Sequence, residues 1–408
     1  MKKSLKNSFV SLLILSCLFS PFYANAQKKQ DVHIKNDLWG RLGHNVISTA
    51  VPFLLIAPDT RIGGMGETGV AVENDNNAQH WNPAKYIMAE KDYGVSVSYS
   101  PWLAGLGIND IYLLYASAYG KVTDKDAISG SIRYFSMGNM ELTNEEGEPI
   151  THTHPHEFAI DLAYSRELVP DLSMAVTGRF IYSYLSTITN TDSKPGLAGA
   201  ADISLFYHKK LRARVLAGSK IGVGLNISNI GNKISYSGSL ERDFLPANFR
   251  LGIAYTMDID KYNRFVFAFD VNKLLVPTPP IDTVDAEGNH TMFGKDNNIS
   301  SAAAVFTSWF DAPTGFVEEM NEFILNLGIE YSYNDLLFIR TGYFNETEKK
   351  GRRKYMTFGV GIKYSIFAID AAYILPVNQR NHPLQNTLRF SISFDFNKGG
   401  NNSKKQSI

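Results

Sequence analysis

Gly64, Gly66 and Gly69 stand at the spacing of a phosphate-cradling loop, G-x-G-x-x-G, after an apolar run from Val51 to Ile56. Such a loop holds a dinucleotide only where it joins a strand to a helix inside a parallel βαβ unit. The segments downstream alternate as antiparallel strands do, so no cofactor is expected, and the glycines read as permitting tight backbone turns. His152, His154 and His156 alternate, which would put three imidazoles on one side of an extended chain, where they could hold a metal. Pro155 interrupts them, and Glu148 and Glu157 lie nearby at no recognisable ligand spacing. A solvated loop is the expectation, with no metal site. Asp59 with Arg61, or Glu318 with Glu319, could suggest acid–base chemistry. No serine, histidine and acid grouping is marked out, so no catalytic residue is assigned and an enzyme is not expected.

The single cysteine, Cys17, falls in a segment built for export. Lys2, Lys3 and Lys6 precede a mostly apolar stretch from Phe9 to Phe22, and Ala24-Asn25-Ala26 offers small residues at a cleavage site. Residues 1–26 therefore read as a secretory signal peptide cut before Gln27, since the apolar run is short of the ~20 residues a membrane helix needs. Cleavage leaves no cysteine, which excludes disulfides, zinc–thiolate sites and cysteine nucleophiles. Lys+Arg and Asp+Glu both total 40 in the whole chain, so no basic excess points to nucleic acid.

Most of the remaining chain carries a two-residue rhythm. Met356, Phe358, Val360, Ile362 and Tyr364 alternate with Tyr355, Thr357, Gly359, Gly361 and Lys363. Leu388, Phe390, Ile392, Phe394 and Phe396 alternate with Arg389, Ser391, Ser393 and Asp395. Successive side chains of a strand point to opposite faces, so each segment has one oily face and one that is small or polar. About fourteen such segments occur, near 93–100, 110–120, 127–137, 156–167, 172–185, 197–209, 219–230, 247–258, 264–275, 322–334, 335–346, 353–364, 365–376 and 386–396. Most approach the ~9–11 residues of a tilted bilayer-crossing strand.

A soluble sandwich shows the same alternation. Two features favour the membrane. Long connections, such as 137–155 and 276–321, alternate with tight ones, such as 168–171, as in outer-membrane barrels. Charges also sit at mid-strand on the polar faces: Arg133, Asp161, Arg179, Asp202, Arg250, Asp270, Glu330, Arg340, Arg389 and Asp395. An arginine facing lipid would cost about 2–4 kcal/mol, so these charges must face a lumen. Five basic and five acidic groups there would pair and tend to fill it. The expected fold is all-β, a fourteen-stranded antiparallel transmembrane barrel over 93–396. Residues 27–92 form an N-terminal plug and 397–408 a polar tail.

On such a barrel, the cluster Lys349, Lys350, Arg352, Arg353 and Lys354 reads as a solvated loop edge or a contact for anionic lipopolysaccharide. The longest loop, 276–321, opens stiffly with Pro277, Pro279 and Pro280 and gathers Trp309, Phe310 and Phe316 beside Glu318 and Glu319. Aromatic anchors in a long loop favour partner binding. Trp102, Trp309, Phe310 and Phe316 are the candidate contacts.

Two stretches carry a resemblance. Ala57 to Gly66 reads APDTRIGGMG, and Gln79 to Tyr86 reads QHWNPAKY. Together with the block SWFDAPTGFVEE at Ser308 to Glu319, they resemble the PorV family, outer-membrane components of the type IX secretion system of Bacteroidota. The looser Met-Gly…Asn-Pro-Ala pattern is similar to that of FadL-like fatty-acid transporters, which implies a barrel of fourteen strands with an N-terminal plug. The PorV resemblance implies a non-enzymatic shuttle. It would take secreted cargo from a large translocon barrel (SprA- or Sov-like) by its C-terminal signal domain and deliver it to an attachment complex containing a PorU-like peptidase. The alternative is a FadL-like transporter of hydrophobic small molecules.

Overall fold

The oily face of each alternating segment must meet lipid and the small or polar face must be enclosed, and closing the sheet on itself satisfies both. The computed structural model describes residues 45–103, 107–144, 146–185, 194–212, 216–236, 242–284, 290–377 and 387–398. The expected signal peptide and most of the polar tail lie outside them.

In chain order the strands are β1 (Tyr93–Pro101), β2 (Ile111–Lys121), β3 (Asp126–Met137), β4 (Met140–Thr143), β5 (Pro149–Thr153), β6 (His156–Val169), β7 (Leu172–Tyr184), β8 (Gly196–Leu211) and β9 (Gly218–Gly231). They continue as β10 (Asn248–Asp258), β11 (Asn263–Leu274), β12 (Ile281–Val284), β13 (His290–Phe293), β14 (Ile324–Tyr333), β15 (Leu337–Asn345), β16 (Lys354–Tyr364), β17 (Phe367–Pro376) and β18 (Leu388–Phe396). Fourteen of them form a closed antiparallel barrel in sequence order, with β1 pairing β18 to shut the ring. β4 and β5 make a separate two-stranded ribbon. β12 and β13 make another.

Register fixes which side chains face out. Val95 lies opposite Phe394 and Ala118, and Val97 opposite Ile392 and Ala116, all on the lipid side. A one-residue slip would turn this band into the lumen and put Arg389 and Ser391 into lipid, so burial pins the pairing. Near the long-loop end, rings step from strand to strand around the outer wall: Tyr99 to Tyr112 (5.8 Å), Tyr112 to Tyr134 (6.3 Å), Tyr134 to His156 (5.9 Å) and His156 to Tyr182 (5.9 Å). Such a girdle marks the level where lipid meets water. Tight turns close the opposite end. Asp171, Asn334, Asp335 and Ser365 adopt positive φ there, as two-residue hairpin turns require.

Nine of the ten mid-strand charges are buried inside the wall. Arg179 bridges Asp161 (2.6 Å) and Asp202 (2.9 Å). Arg340 bridges Glu330 (2.6 Å) and Asp370 (2.5 Å). The tenth, Asp395, is half-buried one residue from the end of β18 and pairs with Lys363 at 2.8 Å. It is a rim residue rather than a mid-lumen one, because the strand stops at Phe396.

Candidate functional site

The N-terminal segment is short of regular structure but is almost wholly buried from Val51 to Ile87. Asp59 caps the short helix Thr60–Gly63 by accepting from Ile62 N (2.9 Å), which turns the chain and aims Arg61 at the wall. Arg61 then meets Glu330 through two hydrogen bonds, 2.9 and 3.0 Å. Further anchors run around the ring. Thr60 N donates to Ser391 Oγ (3.1 Å), Gly66 N to Thr357 Oγ1 (2.8 Å), and Gly69 N and Val70 N to Asp270 Oδ2 (2.8 and 3.0 Å). Ser165 Oγ donates to Pro83 O (2.8 Å), Ser173 Oγ to Ala84 O (2.7 Å), and Arg133 Nη1 to Leu54 O (2.8 Å). The Arg250 guanidinium lies 4.6 Å from the centre of the Trp81 ring. A segment tied to strands on every side of a closed ring lies within that ring.

The glycine run, read above as making turns, has a second reason. Gly66 does turn with φ +67°, but a Cβ on inward-facing Gly342 would also collide with Gly66 N, and one on Gly224 with Val70 O. Glycines on both surfaces let two backbones touch.

Burial sets unusual charge states in this segment. Asp59 is pushed up to about 6, chiefly by burial and then by Asp75, against hydrogen bonds from Ile62 N and Trp81. Lys85 is pulled down to about 8 by burial, and its Nζ donates to Gly69 O at 2.8 Å. Asp59 and Arg61 face different partners and form no acid–base pair.

At the long-loop end the four candidate contacts separate into two kinds. Trp102 is half-buried and packs with Phe344, Tyr355 and Ile374, where Phe344 and Tyr355 stack at 4.6 Å. Trp309 is also half-buried. Its Nε1 donates to Val305 O (3.1 Å), and its ring meets Phe249 edge-on at 5.1 Å. Both tryptophans fasten loops to the barrel mouth. Phe310 and Phe316 are 78% and 76% exposed. Beside them in sequence Phe306 (77%) and Val317 (72%) are equally open, two residues that sequence reasoning missed. The signal was faint: Phe306 is the last but one residue of the apolar-rich short helix Ser301–Thr307, and Val317 the second of the helix Phe316–Asn321, both inside what read as a long loop.

This loop is clamped from below. Lys273, wholly buried on β11, pairs with Glu319 (2.7 Å) and Glu322 (2.5 Å). Lys350 pairs with Glu318 (2.7 Å) and Glu322 (2.9 Å). Asp311 lies beside them and is raised to about 6, by burial first and by Glu319 and Glu322, against a bond from Thr278 N. Glu318 is held below the usual range, because bonds from Lys350 and Thr314 outweigh its burial. The basic cluster is largely consumed at home: Lys350 is in this clamp, Arg353 pairs with Glu346 (2.8 Å) and Lys354 with Glu348 (3.5 Å). Only Lys349 and Arg352 of that run remain exposed without such a partner among the described residues. The three histidines do not converge. His152 sits opposite Glu141 in the ribbon, His154 bonds Asn139, and His156 joins the aromatic girdle.

Comparison with known proteins comes from sequence and from shape. The family model described as type IX secretion system protein PorV matches residues 41–281. No curated protein matches. Among solved structures, a deletion mutant of the TodX monoaromatic hydrocarbon channel superposes with a TM-score of 0.51 at 11% identity, covering 83% of this chain and 99% of that one. The Pseudomonas putida toluene transporter TodX gives 0.50 at 10% identity, covering 84% and 99%. A Pseudomonas aeruginosa FadL homologue gives 0.42 at 12%, covering 87% and 100%. At these identities the likeness to the two TodX structures is one of fold alone.

Proposed function

The chain belongs to the PorV family of type IX secretion system proteins, and we propose that it carries secreted cargo across the face of the outer membrane. A barrel of this family and shape resides in the outer membrane of a Gram-negative bacterium, here of Bacteroidota type. The protein receives a cargo C-terminal signal domain from the large SprA-like translocon and hands it to an attachment complex containing a PorU-like peptidase. It acts by binding, with no chemical step of its own. Outer-leaflet lipid and lipopolysaccharide surround the girdle.

One observation carries the reading. The chain's own N-terminal segment is hydrogen-bonded to strands around the ring, which supports a plugged lumen. The outer loop meanwhile presents Phe306, Phe310, Phe316 and Val317 to solvent. A shuttle needs an adhesive outer surface and no path through the barrel, since nothing crosses it. Exposed apolar side chains on a loop fastened from below suit a partner surface. Trp102 and Trp309 act as supports, and Phe310 and Phe316 as contacts.

The rival is uptake of a hydrophobic small molecule, suggested by the hydrocarbon channels that share the fold. A strain lacking the gene separates the two. Loss of the shuttle strands secreted proteins inside the cell or releases them unanchored. Normal secretion with slowed uptake of one hydrophobic nutrient would overturn the proposal.

A further inference from the structure

The acidic groups under the outer loop outnumber the cations that hold them. Asp311, Glu318, Glu319 and Glu322 are each at most 7% exposed, and Lys273 and Lys350 are the ammonium groups paired with them among the described residues. A buried carboxylate without a counter-charge is strongly unfavourable, so an excess of two calls for compensation.

The arrangement says where that charge would sit. Asp311, Glu319 and Glu322 each place one carboxylate oxygen within 4.8 Å of the others. The loop orients all three by a different oxygen or donor. Thr278 N donates to Asp311 Oδ2 (3.2 Å), Ala312 N to Glu319 Oε2 (3.2 Å), and Thr278 Oγ1 to Glu322 Oε1 (2.7 Å). Asp311 Oδ1 is buried with no hydrogen-bond partner at all, in a residue only 4% exposed. Glu319 Oε1 is buried and is held by the Lys273 ammonium at 2.7 Å.

We propose that Asp311, Glu319 and Glu322 bind a divalent cation of the calcium class at the outer mouth of the barrel. The donors are all oxygens, with no thiolate or imidazole among them, which selects a hard cation over zinc or copper. Asp311 is held by one oxygen and free at the other, while Glu319 and Glu322 are already fixed by Lys273, Lys350 and the loop, so the donors are oriented before the ion arrives and the ion shares the glutamates with the ammonium groups. Lys273 stays beside Glu319 and Glu322 and lowers the net charge without reaching neutrality, so the affinity is that of an extracellular module rather than a cytosolic buffer. The ion joins Asp311, next to Phe310, to the helix Phe316–Asn321. It thereby fixes the two ends of the exposed aromatic stretch to each other. The site does not depend on what partner that stretch binds.

The test uses the full-length protein in detergent, stripped with a chelator and titrated with terbium. The Trp309 ring centre is 5.9 Å from Lys273 Nζ, so an ion in this cluster is sensitised by that indole. The expected result is Trp-excited terbium emission that calcium displaces, with binding weakened at least tenfold in Asp311→Asn. Glu319→Gln carries the same expectation should the first variant fail to assemble. Trp309→Phe should abolish the emission while calcium still raises the temperature at which the loop becomes cleavable by protease. Emission that persists undiminished in Trp309→Phe, or binding unchanged in Asp311→Asn and Glu319→Gln, overturns the site, as does a wild-type protein indifferent to calcium.

Discussion

Arg61 and Glu330 stand 269 residues apart in the chain and meet in the lumen through a two-pronged salt bridge of 2.9 and 3.0 Å. Glu330 is shared with Arg340, so one carboxylate joins the N-terminal segment to the wall and the wall to itself. Stranding a buried charge costs about 3–5 kcal/mol, and losing Arg61 costs less than that because Arg340 still faces Glu330 at 2.6 Å. Arg61→Ala should therefore loosen the segment while the barrel stays closed. Limited proteolysis of purified protein should cut between Thr60 and Ala89 in the variant and not in the wild type. Equal protection of the two proteins would show that the bridge does not hold the segment.

Gly342 offers a steric test of the same contact. A side chain there would collide with Gly66 N, and overpacking a close contact costs about 1–3 kcal/mol or more. Gly342→Val should displace the segment or slow barrel assembly, seen as loss of the heat-modifiable band on unboiled gels. Gly178 is the control. A Cβ at that position meets nothing within 4 Å, so Gly178→Ala should behave as wild type.

The barrel was legible because its cause is local. Alternation decides facing, and the expected strand ends lie within two residues of the observed ones. The charges Arg179 and Arg340 were legible as inward for the same reason. Their partners were not, because Asp161 and Asp202 become neighbours of Arg179 only once three strands are in register. The inward glycines were also present in the sequence, at Gly224, Gly328 and Gly342. They read as members of the small or polar face, and that the backbone of residues 65–71 lies against them depends on contacts distant in sequence. The outer loop was hardest. Phe310 and Trp309 are adjacent in sequence, yet one is 78% exposed and the other wedged against Phe249, and no local periodicity distinguishes them.

Asp59 should make the segment's docking depend on pH. Its folded value of about 6 lies above the ordinary 3.8, so the docked state prefers the protonated acid. The favourable contribution is therefore complete below pH 3.8 and is lost progressively as pH rises to about 6. Trp81 Nε1 donates to Asp59 Oδ1 at 2.5 Å and reports the change. The fluorescence difference between wild type and Trp81→Phe should titrate with a midpoint near pH 6. Asp59→Asn should flatten it. A flat wild-type profile between pH 4 and 8 would refute this assignment.

The exposed and wedged aromatics of the outer loop should fail in different ways. Phe310 and Phe316 have little to hold in the free protein, so replacing them with serine should leave melting and protease resistance of the barrel unchanged. Each ring covered by a partner contributes about 1.5–3 kcal/mol, so each serine should weaken cargo capture roughly 10- to 150-fold. Trp309→Ala removes packing against Phe249 and the ring beside Lys273, and should expose the loop to protease before any partner is added. Binding of a purified cargo signal domain to immobilised wild type, Phe310→Ser, Phe316→Ser and Trp309→Ala, each with a parallel proteolysis profile, distinguishes contact from support. Full capture by the two serine variants would remove the aromatic surface from the mechanism. Recognition would then have to lie elsewhere, with the paired ribbon β4–β5 and its exposed Ile150 as the next surface to alter.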